Sequence, residues 1–272
     1  MSYPQPSRCL SCALLSTVLV LGAASAHAAG SGSARIDLSD SSSVAPLPTD
    51  PPIQPGERGS TLQFIYDDGS IESAHGVFRI PQYDRSVAGV YLNRFPVGHP
   101  LKVDSISIFW PPPVANVAPG LELMLVAYYD ADIDGNPANA VRLGSDVHVT
   151  VGAQGEWSTY PVDFDVPAAG DLYVGFVNLW ARVPNGVALP LQYPGSADSD
   201  NPHCQSYMAY QSNPLMLVDY DDIGANAVIE VLHDPDTMGV EDFMIRATGQ
   251  ALPGDDLFTN GFDNLIACTI SG

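Results

Sequence analysis

The chain has 272 residues and a formal net charge of −21, because 31 acidic side chains outnumber 10 lysines and arginines. Such an excess of negative charge repels phosphate backbones and argues against nucleic-acid binding. Hydrophobic residues make up 46% of the chain, enough to bury a core, and 24 glycines with 24 prolines favour turns and short strands over helices.

The first 28 residues have the pattern of an export signal. Arg8 supplies a positive charge, residues 9–24 form an apolar stretch, and Ala26-His27-Ala28 matches the small-x-small cleavage rule. We therefore predict a secreted or envelope-associated protein that is cleaved after Ala28. No later apolar run approaches the length of about 18 residues that a membrane span needs, so no transmembrane segment is expected after cleavage.

Composition divides the chain into four parts: the signal (1–28), a disordered linker (29–59), a folded domain (60–249), and a second linker with a short tail (250–272). The first linker is predicted because Gly, Ser, Ala, Pro and Asp predominate there without periodicity. The domain is predicted from its many short strand patterns, which are separated by Gly, Pro and Asp turns.

The predicted strands are short runs of apolar or alternating residues bounded by turn residues. In chain order they cover residues 61–66, 76–80, 88–95, 101–110, 121–129, 146–151, 160–166, 171–179, 205–210, 215–220, 228–233 and 243–248, whereas 187–193 is interrupted by proline and is an edge or loop piece. The run 121–129 is apolar at both parities, which predicts a central strand covered on both faces. No long capped amphipathic helix is indicated. We therefore predict an all-β fold, an antiparallel β-sandwich or jelly roll.

Cysteine usage fits an oxidising compartment. Cys204 and Cys268 remain after the predicted cleavage, and such a pair in an exported protein is most simply a disulfide. The bridge would tie the tail to the domain and contribute about 4 kcal/mol. The alternative is two free thiols.

An acidic loop follows the predicted central strand. Three aspartates alternate with other residues before a glycine in the stretch 130–135, and this spacing is typical of oxygen cages for hard cations. An EF-hand loop also needs a glutamate at its twelfth position, which here is Val141, so neighbouring loops would have to supply ligands. The alternative is a solvated acidic hairpin. The predicted Ca²⁺ ligands are Asp130, Asp132, Asp134 and Asn136.

A second acidic group follows the strand pattern that ends near residue 220. Asp219, Asp221 and Asp222 would complete the cation site if the fold brings the two loops together. The alternative is another acidic surface loop.

Aromatic residues near predicted loops are candidates for stacking on sugar rings. Flat apolar faces beside Asp and Asn hydrogen-bonding groups suit carbohydrate, although most Trp and Tyr residues in sandwiches pack in the core. Trp110 and Trp157 are assigned to the core on this ground. The predicted carbohydrate-binding residues are Trp180, Tyr193, Tyr207 and Tyr210.

Catalytic motifs are absent from the sequence. It contains no Gly-x-Ser-x-Gly elbow, and no two histidines pair at the spacing of a zinc protease. Ser73 and His75 lie close together without a supporting pattern, and close carboxylates are uninformative in so acidic a chain. We therefore predict no enzymatic activity.

The sequence Tyr-Asp-Asp-Gly at 66–69 resembles the opening of a jelly-roll module found on secreted bacterial proteins. An Asp-rich hairpin, a strand with Trp157, a segment like 171–176 and a closing Asp-Phe-Met-Ile-Arg-Ala at 242–247 follow in the order typical of that module. The resemblance covers about residues 61–249 and implies a jelly-roll fold. Residues 256–263 are also similar to the Gly-Phe-Glu tails of some secreted gammaproteobacterial proteins, with Asp263 in place of Glu, which supports export.

These observations favour a secreted, non-catalytic β-sandwich module that binds or adheres to a glycan or another cell-surface ligand and is stabilised by Ca²⁺. One alternative is a secreted hydrolase of glycans or esters on a jelly-roll scaffold. A second alternative is a structural spacer module.

Overall fold

The computed structural model describes residues 30–38, 61–80, 87–179, 191–200, 202–212, 218–232 and 240–252. In chain order the strands are β1 (Gly30–Asp37), β2 (Thr61–Phe64), β3 (Ser73–Ile80), β4 (Gly89–Val97), β5 (Leu101–Phe109), β6 (Glu122–Asp130), β7 (Val141–Arg142), β8 (Val147–Thr150), β9 (Trp157–Val166), β10 (Gly170–Asn178), β11 (Gly195–Asp198), β12 (Ser206–Tyr210), β13 (Val228–Val231), β14 (Asp242–Phe243) and β15 (Ile245–Ala251). The helical elements are two 3-10 turns, Pro113–Ala115 and Pro137–Asn139, and one short helix, α1 (Ile223–Asn226). None of these described helices has the length and apolarity to cross a membrane.

The strands form three antiparallel sheets. The large sheet has the order β13-β12-β4-β10-β6-β7, with β8 also paired to β6, and the facing sheet has the order β2-β15-β5-β9. The small sheet has the order β1-β3-β11-β14. This arrangement confirms the predicted all-β fold, an antiparallel β-sandwich.

The main core lies between the large sheet and the facing sheet. Alternation along the strands places Ile106 and Ile108 of β5 in one buried cluster with Leu123 and Leu125 of β6. The alternate positions Met124, Val126 and Tyr128 of β6 are buried in a second cluster on the outer face of the large sheet. Strand β6 is therefore covered on both faces, as its apolar sequence predicts.

Residues 218–227 cover the outer face of the large sheet. Val218 and Ile223, the first residue of α1, are buried in the outer cluster beside Val90 and Leu92 of β4. This covering segment lies next to the 3-10 turn Pro137–Asn139, because a β-carbon on Gly224 would lie only 1.9 Å from the carbonyl oxygen of Ala138.

The prediction of a disordered linker over residues 29–59 is wrong at its start, where residues 30–37 form strand β1. Residues 30–37 pair antiparallel with β3 along its length. The strand begins with Gly and Ser, and its apolar positions Ala34, Ile36 and the following Leu38 alternate with Arg35 and Asp37. It is held by backbone pairing, by Ile36 and Leu38 in a small third hydrophobic cluster, and by an ion pair between Arg35 and Glu241, 2.6 Å apart.

Candidate metal centre

The acidic loop begins where β6 ends and is built from successive Asx turns, in which a side-chain oxygen accepts from a backbone N–H two residues later. Asp130 accepts from Asp132 (3.2 Å), and Asp132 accepts from Asp134 (3.3 Å). Asp134 accepts from Asn136 (2.7 Å), which in turn accepts from Ala138 (3.1 Å) as the N-cap of the 3-10 turn. Side chains at every second position therefore shape the loop.

Two residues in left-handed backbone conformations curl this loop tightly. Gly135 has a φ of 75°, and Ile133 has a φ of 57°, a conformation that costs a β-branched residue about 1–2 kcal/mol. The curl brings oxygens of Asp130, Asp132 and Asp134 within 4.8 Å of one another. Two oxygens that bind the same Ca²⁺ at about 2.4 Å each are at most about 4.8 Å apart, so this spacing suits that ion.

Asp130 is the buried member of the cluster. Asp130 is 4% exposed, and its Oδ2 atom has no hydrogen-bond partner in the described part of the chain. Burial raises the pKa of Asp130 above its usual range, and the negative charges of Asp132 and Asp134 raise it further. A buried carboxylate oxygen without a partner is costly, so Asp130 favours neutralisation.

The sheet beneath the loop fixes the position of Gly135. Its N–H donates to Asp171 Oδ2 (3.3 Å), and its carbonyl oxygen accepts from the hydroxyl of Tyr207 (2.7 Å). Asp171 is the direct cross-strand partner of Asp130 and forms an ion pair with Arg94, at 2.7 Å. This support leaves no local signal in the sequence of the loop, because residues of β4, β10 and β12 supply it.

The second acidic group does not join the cluster. Asp221 binds Arg142 at 2.7 Å, while Asp219 accepts from the backbone N–H of Asp221 at 3.1 Å. Asp222 caps α1 by accepting from Ala225 at 3.0 Å. These three carboxylates therefore have protein partners, although α1 lies against the turn that follows the first loop.

The structure corrects the expected exposure of two predicted sugar-binding residues. Tyr207 and Tyr210 are each only 4% exposed, and their hydroxyls bind Gly135 and Glu230, so their rings offer no open face for stacking. Tyr207 packs in the outer cluster, which residues 218–227 cover, whereas Tyr210 packs in the main core between the sheets. Tyr193 is partly buried beside a small third core cluster, and Trp180 lies outside the described residues.

A serine, a histidine and a glutamate meet in the small sheet. Ser73 Oγ donates to Glu241 (2.6 Å), and His75 Nε2 also contacts Glu241. Burial alone would raise the pKa of Glu241, but its bonds with His75, Arg35 and Ser73 hold the pKa below its usual range. All three residues of the cluster are at most 1% exposed. Glu241 and Ser73 both contact the same ring nitrogen of His75, its Nε2 atom. A catalytic triad needs the acid on the opposite nitrogen, so this cluster does not have the geometry of a triad.

The predicted Cys204–Cys268 disulfide stays a prediction. Cys204 precedes β12 with a φ of 58°, and Cys268 lies outside the described residues. The boundaries predicted for the signal, the domain and the tail likewise remain expectations.

Comparison with known proteins gives little to assign. No protein-family model matches the chain, and no curated protein matches it. One similar solved structure contains the cysteine protease and lectin-like domains of Cwp84, a surface layer associated protein of Clostridium difficile, with 14% identity, a TM-score of 0.40, and coverage of 74% of this chain and 37% of that one. Another is a variant of the same clostridial protease after propeptide cleavage, with 17% identity, a TM-score of 0.37, and coverage of 66% and 44%. The chain thus spans less than half of either protein, and likeness at this level carries no functional argument.

Proposed function

We propose that this chain is an exported, non-catalytic β-sandwich module whose 130–136 loop binds Ca²⁺ and which binds a glycan or another cell-surface ligand. The observation that carries the proposal is the convergence of Asp130, Asp132 and Asp134, with one buried oxygen of Asp130 unpaired. An ion in the loop would supply the partner that this oxygen lacks.

The chemistry of the loop favours a hard divalent ion. Ca²⁺ takes six to eight oxygen ligands in flexible geometry, and carboxylates, carbonyls and waters are its usual donors. Asp130, Asp132 and Asp134 would supply three of these ligands, and Asn136 would supply a fourth. Ca²⁺ would also relieve the repulsion among the three carboxylates.

A binding role is favoured over hydrolysis by the burial of the reactive groups. The Ser73–His75–Glu241 cluster is closed to solvent, so no substrate reaches it. Trp180 and Tyr193 remain the proposed sugar contacts. A glycan array with the wild type, Trp180→Ala and Tyr193→Ala tests this part, and an array on which the wild type gives no signal would remove it.

Thermal melting tests the Ca²⁺ site directly. The purified protein is melted in EGTA and again with Ca²⁺ at 100 times its Kd, where binding adds about 2.7 kcal/mol, which corresponds to a rise of about 5–10 °C in Tm. Asp132→Ala should abolish this rise because it removes a ligand. Asp221→Ala is the matched control, since its carboxylate binds Arg142 outside the cluster. A midpoint that neither EGTA nor Ca²⁺ shifts would contradict the proposal.

A further inference from the structure

Three neighbouring residues on the outer face of the large sheet each carry a buried oxygen without a hydrogen-bond partner among the described residues. Asp130 Oδ2, Asp171 Oδ1 and the hydroxyl of Tyr173 have no hydrogen-bond partner within the described ranges. Asp130 and Asp171 are directly opposite each other on β6 and β10, and Tyr173 is two residues along β10, so all three share one face. Directly opposed β-carbons are about 4.5–5.5 Å apart. Because each unpaired buried oxygen is costly, three together indicate a polar site that a solvent species fills.

The acidic loop lies directly over these oxygens. A β-carbon on Gly135 would come within 2.9 Å of the Arg94 guanidinium and 3.6 Å of the Tyr207 hydroxyl. The Asp171 carboxylate touches the loop through its Oδ2 atom, which accepts from the N–H of Gly135. Its other oxygen therefore lies at the boundary between the loop and the sheet.

Arg94 is the charged partner of Asp171 in this buried position. Asp171 is fully buried, Arg94 is 5% exposed, and the guanidinium also donates to Gln205 at 3.0 Å. A buried carboxylate needs such a fixed partner. Arg94 and Gly135 both contact Oδ2, so the Oδ1 atom is left without a donor among the described residues.

We infer that Asp171 takes the place of the twelfth-position carboxylate that the loop lacks, and that it holds the bound Ca²⁺ from the sheet side through a bridging water. EF-hand loops also use water-mediated ligands, so an indirect contact is an established way to complete a Ca²⁺ shell. Asp171 is then a positioning residue that both anchors Gly135 and orients the water. This inference rests on the proposed Ca²⁺ site and adds a fourth carboxylate to it.

Asp171→Asn tests the inference, because it keeps the shape of the side chain and removes its charge. Ca²⁺ affinity is measured by calorimetry and by displacement of Tb³⁺, whose luminescence nearby tyrosines sensitise. We expect a 10- to 100-fold loss, the range found when partners outside the inner ligand shell are removed. Asp221→Asn serves as the matched control and should stay within about twofold of the wild type, since its side chain is exposed.

Melting in EGTA separates a ligand role from a purely structural one. If Asp171 only supports the fold, Asp171→Asn lowers the EGTA midpoint and leaves the Ca²⁺-induced rise unchanged, which would overturn the inference. If the wild type binds no Ca²⁺, the proposed function fails with it. Should Asp171→Asn not fold, Asp171→Ser removes the carboxylate with a smaller polar side chain, and an affinity equal to that of the wild type would then overturn the inference.

Discussion

Two acidic loops lie next to each other on the outer side of the large sheet, and they differ in how their carboxylates are bound. In the 219–222 loop every aspartate has a protein partner, including Arg142 for Asp221. In the 130–136 loop the buried Oδ2 of Asp130 has none among the described residues. Acidic density is similar in both loops, so it does not by itself identify a cation site. The unpaired buried oxygen of Asp130 is the feature that distinguishes the first loop.

Elsewhere in the molecule buried carboxylates are compensated in two other ways. Asp67 forms a buried ion pair with Arg246, whereas Asp198 lies among other carboxylates and favours a proton. Three kinds of neutralisation can therefore be compared: an arginine for Asp67, a proton for Asp198 and a bound ion for the 130–136 loop. Altering one carboxylate of each kind tests which of these operates there.

The largest effect is expected from Asp67→Ala. Asp67 accepts from Arg246 Nε at 3.0 Å, and both side chains are almost fully buried. Removing one member of a buried ion pair costs about 3–5 kcal/mol, because the other charge is left uncompensated. Urea unfolding in EGTA and in Ca²⁺ should show the same loss. A loss that Ca²⁺ reverses would contradict the view that this carboxylate is compensated internally.

Asp198 should make stability depend on pH. Burial raises its pKa to about 7, against the opposing effect of hydrogen bonds from Asp68 and Asp200, and the charges of Asp68 and Glu72 raise it further. The folded state therefore binds this proton more tightly than the unfolded chain does. Its contribution is complete below about pH 4 and is lost as pH rises to about 7, with an upper bound of about 4 kcal/mol.

Asp198→Asn should flatten this dependence, because an amide does not titrate. Urea unfolding between pH 4 and 8 compares the free energy of unfolding of the variant with that of the wild type. Asp104→Asn on β5 serves as a control for a general loss of negative charge. An unchanged slope in Asp198→Asn would show that another group carries the pH dependence.

The smallest effect is expected from Asp221→Ala. Its side chain is 84% exposed, and Arg142 keeps a second partner, Asp146, at 2.7 Å. Exposed ion pairs contribute less than about 1 kcal/mol and weaken in salt. Urea unfolding at low and high salt measures this contribution. If Asp221→Ala removed the response to Ca²⁺, the two acidic loops would have to be regarded as one site.

The sequence predicts the sandwich well where local periodicity reflects burial. Strand β6 is apolar at both parities and is indeed covered on both faces. Strand β1 is not predicted because its alternating apolar run is short and lies in a segment rich in Gly, Ser and Pro, while backbone pairing and the ion pair between Arg35 and Glu241 supply much of its support. Contacts between residues that are distant in sequence cannot be deduced from the composition of one segment.

The candidate metal site likewise has one part that the local sequence predicts and another that it does not. The spacing of Asp130, Asp132 and Asp134 is local, so the loop is visible in the sequence. Asp171 and Tyr207 contact Gly135 from 36 and 72 residues away, through the register of the large sheet. Tyr207 is predicted to bind sugar on the assumption that its ring is exposed. Alternation along a strand cannot show that another segment covers that face.

The close approach of Gly224 to Ala138 also limits how this side of the molecule can evolve. Any side chain at 224 would displace the 3-10 turn that follows the acidic loop. Related chains that keep the loop and its turn should therefore keep a glycine at this position, whereas chains that have lost the loop are free to replace it. Related chains that keep both the acidic loop and the glycine at position 224 would be the members that bind an ion.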